Sequence, residues 1–178
     1  LGYGALTMPD HFTDQLAPLP ALTAAAMATS TLRIGALVWD NDYKHPVVFA
    51  KEMATLDVLS DGRLDLGIGA GWMITDYEQS GIPYESAGTR IDKMIEGIDI
   101  MKGCFAQGPF SYDGKHYTIT NYNGMPKPVQ GTCPPILIGG GGKRVLTYAA
   151  KVADIVGINA TMSAGAVGPE AISTMTAE

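Results

Sequence analysis

The chain has 178 residues, 46% of them apolar and 17% charged, a balance that reads as one folded domain and excludes a disordered chain. Its formal net charge is −6 with no basic stripe, so nucleic acid is not an expected partner. No run of about 18 apolar residues suggests a membrane helix, and two cysteines, Cys104 and Cys133, make no disulfide framework. Reduced cysteines and no signal peptide point to the cytoplasm. The opening Leu1-Gly2-Tyr3-Gly4 lacks both a Met and a basic segment, so the true beginning is expected upstream.

Ala5–Pro9 reads as a strand that ends at Asp10-His11-Phe12. Pro18–Ala28 is an Ala-rich helix with a Pro-rich entry, and Leu32–Trp39 is a second strand. The polar loop Asp40–His45 follows, readable either as a solvated helix cap or as the lip of a site. Pro46 suits the first position of a helix over Pro46–Leu59. There Phe49, Met53 and Leu56 repeat at helical spacing, and Ser60-Asp61-Gly62 stops the helix. Arg63–Gly69 is the third strand, and Asp57, Asp61 and Asp65 around it read as surface or capping charges.

Arg90–Phe105 carries one apolar stripe of Ile91, Met94, Ile95, Ile98, Met101 and Phe105, the mark of an amphipathic helix. Tyr112–Tyr117 reads as a hairpin turning at Asp113-Gly114, within an insertion over residues 108–134. Ile136–Ile138, a helix over Lys143–Val152 and a strand over Asp154–Ile158 complete the pattern, before a tail with one weak helical stretch. Strand and helix alternate, and the strands are apolar on both faces, so the sheet is parallel. A doubly wound sheet and a barrel both satisfy this alternation.

Two glycine loops follow strands. Gly67-Ile68-Gly69-Ala70-Gly71-Trp72 is not a dinucleotide fingerprint, because the third glycine of that pattern is missing. It is either a tight turn or a place where a flat ring lies on bare backbone; glycine has no Cβ to prevent that approach. Gly139–Gly142 is not a nucleotide-binding P-loop, since no Ser or Thr follows Lys143. It reads as a linker or as an anion site at a helix N-terminus, with Lys143 and Arg144 adding charge. In the anion reading, valine at Gly141 blocks the ligand and spares the fold.

Asp10 and His11 sit where the first strand ends, the position that carries catalytic groups in barrels. His11 is the candidate proton donor or acceptor, against the alternative of a structural histidine. Neighbours on a strand face opposite ways, so Asp10 and His11 are not expected to form a dyad. No His, Cys and carboxylate cluster has metal-ligand spacing, so no metal is expected.

Together the residues resemble a known family. The ordered set runs from Pro9-Asp10-His11-Phe12 through Leu32-Arg33-Ile34-Gly35, His45-Pro46 and Lys51–Asp57 to Ser60-Asp61-Gly62-Arg63 and Leu66–Trp72. It continues with Gly81-Ile82-Pro83, Arg90, Tyr112–Tyr117, Pro126–Gln130, Pro134-Pro135-Ile136 and Ile138–Gly142. This series is similar to the luciferase-like monooxygenase superfamily, and within it to the actinobacterial branch that uses coenzyme F420. The resemblance covers roughly residues 1 to 160.

It implies a partial (β/α)8 barrel of the bacterial-luciferase type with a hairpin insertion. The five strands read here leave the first strand and the last two strands missing from the eight of a barrel. It implies a deazaflavin ring, F420, or alternatively FMN, resting on a cis peptide near Leu37-Val38. The cofactor-binding set is then Leu37, Val38, Gly69, Ala70, Gly71, Trp72 and Gly139, Gly140, Gly141, Gly142.

His11 matches the base of the family's sugar-phosphate dehydrogenases. Those enzymes carry glutamate where this chain has Trp72, which argues against sugar-phosphate oxidation. The implied activity is hydride transfer between F420 and an organic substrate. FMN-dependent monooxygenation and a non-catalytic flavin-binding truncated barrel are the alternatives. A small-molecule substrate and a homo-oligomer are the expected partners.

Overall fold

The computed structural model describes residues 2–160 together with Gly165 and Ala171. The chain opens with β1 (Ala5–Met8), crosses through α1 (Pro18–Met27) to β2 (Arg33–Ala36), and then makes the two-residue strand β3 (Trp39–Asp40) and a 3-10 turn at Asn41–Tyr43. Next come α2 (Pro46–Leu59), β4 (Leu64–Gly69), the short helix α3 (Ile74–Ser80) and the long helix α4 (Ala87–Phe105). The strands β5 (Phe110–Asp113) and β6 (Thr118–Tyr122) precede β7 (Ile136–Gly140), α5 (Lys143–Val152) and β8 (Ile155–Ile158). The helical stretch expected in the tail lies largely outside the described residues.

The main sheet has the order β1-β2-β4-β7-β8, every pair parallel, with β3 pairing β4 as well. Sequential order in an all-parallel sheet removes the doubly wound alternative, whose strand order reverses at a switch point. The result is a parallel half-barrel sheet backed by helices. The strands β5 and β6 form a separate antiparallel pair, as the Asp113-Gly114 signal predicts.

Burial follows position in the sheet. Leu64, Leu66 and Ile68 of the central strand β4 are fully buried, each side chain stabilising the fold by about 1.5–3 kcal/mol. The edge strands are open: Leu6 of β1 and Ile155, Val156 and Ile158 of β8 are exposed. α2 begins with Pro46 at its first position and the His45 ring accepting the Val47 N–H. It ends at Ser60, after which Asp61 and Gly62 take positive φ. Among the described residues no helix is long and apolar enough to cross a membrane, and both cysteines are free.

Four expectations need correction. The strand expected over Leu32–Trp39 is broken into β2 and β3, because β2 pairs with β1 up to Ala36 whereas β3 pairs with β4. The Leu37–Val38 peptide between them is cis, where the resemblance puts it. The helix α3 has no counterpart in the sequence reading: it is seven residues long, too short for apolar periodicity to show.

The apolar stripe of α4 is turned from the expected one. Ile100 and Cys104 are buried, and Ile91 and Ile95 only half-buried. α4 is covered on two sides: Gly97 packs on Asn41, and Gly103 lies against the Phe110 ring of the hairpin. Asp57 is no surface charge. It is fully buried, and its carboxylate accepts the N–H groups of Val129 and Gln130 and the Gln130 side-chain amide. It anchors the Pro-rich connector to α2. Asp65 pairs with Arg33 at 2.5 Å.

Candidate functional site

Parallel strands bring their C-terminal ends to one edge of a sheet. The loops that leave β1, β2, β4, β7 and β8 at that edge enclose a cavity of about 490 Å³. The residues expected as catalytic or cofactor-binding line it: Asp10 and His11 beyond β1, Leu37 and Val38 beyond β2, Gly69–Trp72 at β4 and Gly139–Gly142 at β7. Its volume lies in the range of small-molecule sites, roughly 300–1,000 Å³.

The wall at β4 and β7 is bare backbone for a steric reason. A Cβ at Gly69 would lie 2.5 Å from Val38 Cγ2, and one at Gly139 2.9 Å from Val38 Cγ1. Val38 thus occupies the space that side chains on both strands would need. Gly71 has φ of +73°, and a Cβ there would overlap the Tyr77 hydroxyl and the Asp40 carboxylate. Gly141 is packed as well: its Cβ would lie 2.7 Å from Ala160 O and closer still to Asn159 O. Valine at Gly141 therefore disturbs the fold, contrary to the sequence expectation. The open member is Gly142, with nothing near its Cβ position.

Gly142 is the N-cap of α5, which has no side-chain cap and no acid in its first turn. The N–H groups of that turn remain available to an anion. Lys143 and Arg144 do not add charge to the cavity. The Arg144 guanidinium is committed to Gly88 O and the Asp92 carboxylate, and Lys143 lines the outer surface beside Leu146. The cation lining the cavity, among the described residues, is Arg90. It is buried, donates to Ala70 O, Gly71 O and Glu85 O, and stacks 4.1 Å above the Tyr84 ring.

The strand rule misplaces Asp10 and His11. β1 ends at Met8, so alternation no longer applies beyond it, and both residues face the same cavity. They do not bond each other: Asp10 accepts the Asp40 N–H at 3.2 Å, and His11 Nδ1 lies 2.6 Å from Asp76 Oδ2. Tyr43 donates to the same Asp76 oxygen at 3.0 Å, and the Phe12 N–H to the other at 3.3 Å. The His11 ring meets Trp72 edge-on, with centroids 5.5 Å apart.

Next to it a second network is built on Asp40. Its carboxylate accepts from Tyr77 Oη at 2.8 Å and from the Asp42 N–H at 2.9 Å. Burial pushes its pKa up to about 6, against the opposing pull of those hydrogen bonds. Burial also raises the Asp10 carboxyl, with the Asp40 N–H working the other way. The Tyr43 and Tyr77 hydroxyls are pushed up first by burial and then by Asp40, which keeps them protonated donors at neutral pH.

The loop Asp40–His45 therefore has both suggested characters. Asp40 lines the cavity, Tyr43 braces the His11 partner, and His45 caps α2. Sequence reasoning missed Asp40, Tyr43, Asp76 and Tyr77 as individual site residues. The signal for α3 was Gly81, which takes the left-handed conformation that ends that helix. No group of three or more His, Cys, Asp or Glu residues able to hold a metal occurs among the described residues.

The chain is similar to 5,10-methylenetetrahydromethanopterin reductase of Archaeoglobus fulgidus, 31% identical over 160 residues that cover 90% of this chain and 46% of the relative. It is also similar to the FMNH2-dependent dimethylsulfone monooxygenase of Pseudomonas putida, 30% identical over 153 residues, 86% of this chain and 40% of the relative. Among solved structures, the coenzyme F420-dependent tetrahydromethanopterin reductase of Methanopyrus kandleri superposes with a TM-score of 0.80 at 25% identity, covering 89% of this chain and 48% of its own. The chain thus spans about half the length of the relatives it matches. The luciferase-like monooxygenase family model matches residues 1–178, and with a parallel half-barrel whose strand ends enclose one cavity, the chain belongs to that family of oxidoreductases.

Proposed function

We propose that the protein is an oxidoreductase that moves a hydride between coenzyme F420 and an organic substrate. The observation that carries this reading is the cavity itself: a glycine-walled slot, a helix N-terminus free for an anion at one side and a carboxylate-bound histidine at the other. The similarity to the coenzyme F420-dependent reductase structure of Methanopyrus kandleri supports F420. When bound, the deazaflavin supplies the hydride-accepting and hydride-donating ring.

The residues present fit such a group. Leu37 and Val38 would give the ring an apolar face, and Gly69 and Gly139 make the room that Val38 occupies beneath it. The N–H groups that follow Gly142 would donate to a phosphate, with the helix dipole contributing about 0.5–1 kcal/mol. This placement suits a net acidic chain, because the anion is met by backbone and needs no surrounding lysines. Arg90 holds the Ala70-Gly71 backbone in place. His11 gives or takes a proton at Nε2, since Nδ1 is occupied by Asp76.

A second reading is supported by the dimethylsulfone monooxygenase relative, named as FMNH2-dependent. The same cavity would then hold FMN for oxygen chemistry. Titrating the complete natural polypeptide with F420 and with FMN, followed by absorbance, separates the two. Saturable binding of F420 at least tenfold tighter than FMN supports the first reading, and the reverse order supports the second. Binding of neither removes both.

A further inference from the structure

We propose that Asp76 is a positioning residue that fixes the His11 ring with its proton on Nδ1 and its lone pair on Nε2, and that Tyr43 holds Asp76 for this task. The proposal rests on the reading of His11 as the proton-transfer group and adds the device that prepares it.

Three donors from two parts of the chain, the adjacent His11 and Phe12 and the more distant Tyr43, converge on the Asp76 carboxylate. His11 Nδ1 lies 2.6 Å from Oδ2, Tyr43 Oη lies 3.0 Å from the same oxygen, and the Phe12 N–H lies 3.3 Å from Oδ1. An ionised carboxylate only accepts, so the short contact selects the imidazole tautomer that carries its proton on Nδ1. Nε2 then has the free lone pair, and it makes no hydrogen bond among the described residues.

The brace is rigid because each part is itself held. The Asp76 side chain is only 3% exposed, and the Tyr43 ring stacks on Phe12 at 4.5 Å. Tyr77, the neighbour of Asp76 on α3, is fully buried and donates to Asp40. Two adjacent residues of α3 thus reach two different groups lining the cavity. A carboxylate kept almost dry against a ring at the cavity wall has an orienting role that a surface ion pair lacks, because water does not compete for its oxygens.

The test uses the full natural polypeptide labelled with 15N-histidine, without cofactor, in long-range 1H–15N spectra. The His11 signals are assigned by their loss in His11→Ala. The expected wild-type result for the neutral ring is the Nδ1–H tautomer as the dominant form. Asp76→Leu removes the acceptor at similar volume and should convert His11 to mainly Nε2–H. Asp76→Asn retains an oxygen acceptor and should keep Nδ1–H dominant, which separates hydrogen bonding from packing.

A wild-type His11 in the Nε2–H form overturns the proposal, whether or not Asp76→Leu folds. A folded Asp76→Leu protein with the wild-type tautomer overturns it too. Tyr43→Phe should at least double the minor tautomer fraction; no change removes Tyr43 from the device. Failure to bind F420 or FMN would sink the functional reading, and the tautomer spectra would still decide the Asp76–His11 relation.

Discussion

Asp76 and His11 stand 65 residues apart in the chain and 2.6 Å apart in space, the carboxylate of a short helix closing on a ring that follows the first strand. This contact places the one histidine of the cavity wall under the control of α3. On the proposed reading two functions are separated within the cavity: the glycine wall and the α5 N-terminus would bind, and the side chains beyond β1 would handle protons. Replacing His11 with Ala should therefore leave the cofactor dissociation constant within about threefold and reduce turnover by roughly 10²–10⁴. The check is a binding titration beside steady-state rates in the full natural polypeptide. Loss of binding with unchanged turnover would reverse the assignment.

Gly141 and Gly142 should respond differently to valine. Gly142 has open space around its Cβ position, so Gly142→Val crowds the anion site alone. Cofactor affinity should fall about tenfold or more, roughly 1.4 kcal/mol, with a smaller loss of melting temperature than at Gly141, that of a poorer N-cap for α5. At Gly141 the added atoms meet the carbonyls of Asn159 and Ala160. Gly141→Val should lower the melting temperature by several degrees, about 1–3 kcal/mol of overpacking. Thermal melts of both variants, alongside cofactor titrations, decide the matter.

Asp40 makes stability depend on pH with a definite sign. Its pKa is pushed up to about 6 in the folded protein from an ordinary value of 3.8, chiefly through burial. The folded state therefore binds the proton more tightly than the unfolded one, and this group's contribution falls as pH rises from about 4 to about 6. The cost of keeping it ionised is fully present above pH 6, at most about 3 kcal/mol. Asp40→Asn keeps groups able to bond Tyr77 and the Asp42 N–H. It should gain stability relative to wild type at pH 8 and lose most of that gain at pH 4. Denaturant curves at the two values would show a pH-independent difference if the idea is wrong.

Asp57 should matter more to stability than Asp65, although both follow the same acidic pattern in the sequence. Asp57→Ala removes the acceptor of two part-buried backbone N–H groups, of Val129 and Gln130, and of the Gln130 amide, which keeps only Leu64 O, a loss of about 2–3 kcal/mol. The Arg33–Asp65 pair is partly open to water, with side chains 36% and 16% exposed. Asp65→Ala should accordingly cost about 1 kcal/mol or less. Urea midpoints for the two variants test the order.

We propose that the 178-residue chain studied alone self-associates. Among the described residues β1 and β8 are the unpaired edges of the main sheet, and Ile158 on β8 is 82% exposed. Open edges with apolar side chains pair readily with a second copy. Sedimentation velocity should show dimers or larger species at micromolar concentration. A compact monomer over that range would contradict it.

Local chemistry made much of this protein legible. Pro46 and Ser60-Asp61-Gly62 bound α2 where helix signals put them, because capping and backbone preferences act over a few residues. The apolar runs marked β1, β2, β4, β7 and β8 of the main sheet, and parallel pairing necessarily puts their C-terminal ends on one edge. With the family resemblance, which implies a ring at that edge, Asp10, His11 and the two glycine loops could be grouped as one site before any contact was visible.

Tertiary structure decided the partners. Nothing near His11 in the sequence names Asp76, and nothing near Asp57 names Gln130. Nor does a run of four glycines reveal that Gly141 is packed against Asn159 and Ala160 while Gly142 is open. A carboxylate has the same intrinsic preference for donors at every position. Which donor it meets, and whether water competes there, depends on how segments tens of residues apart close over the end of the sheet.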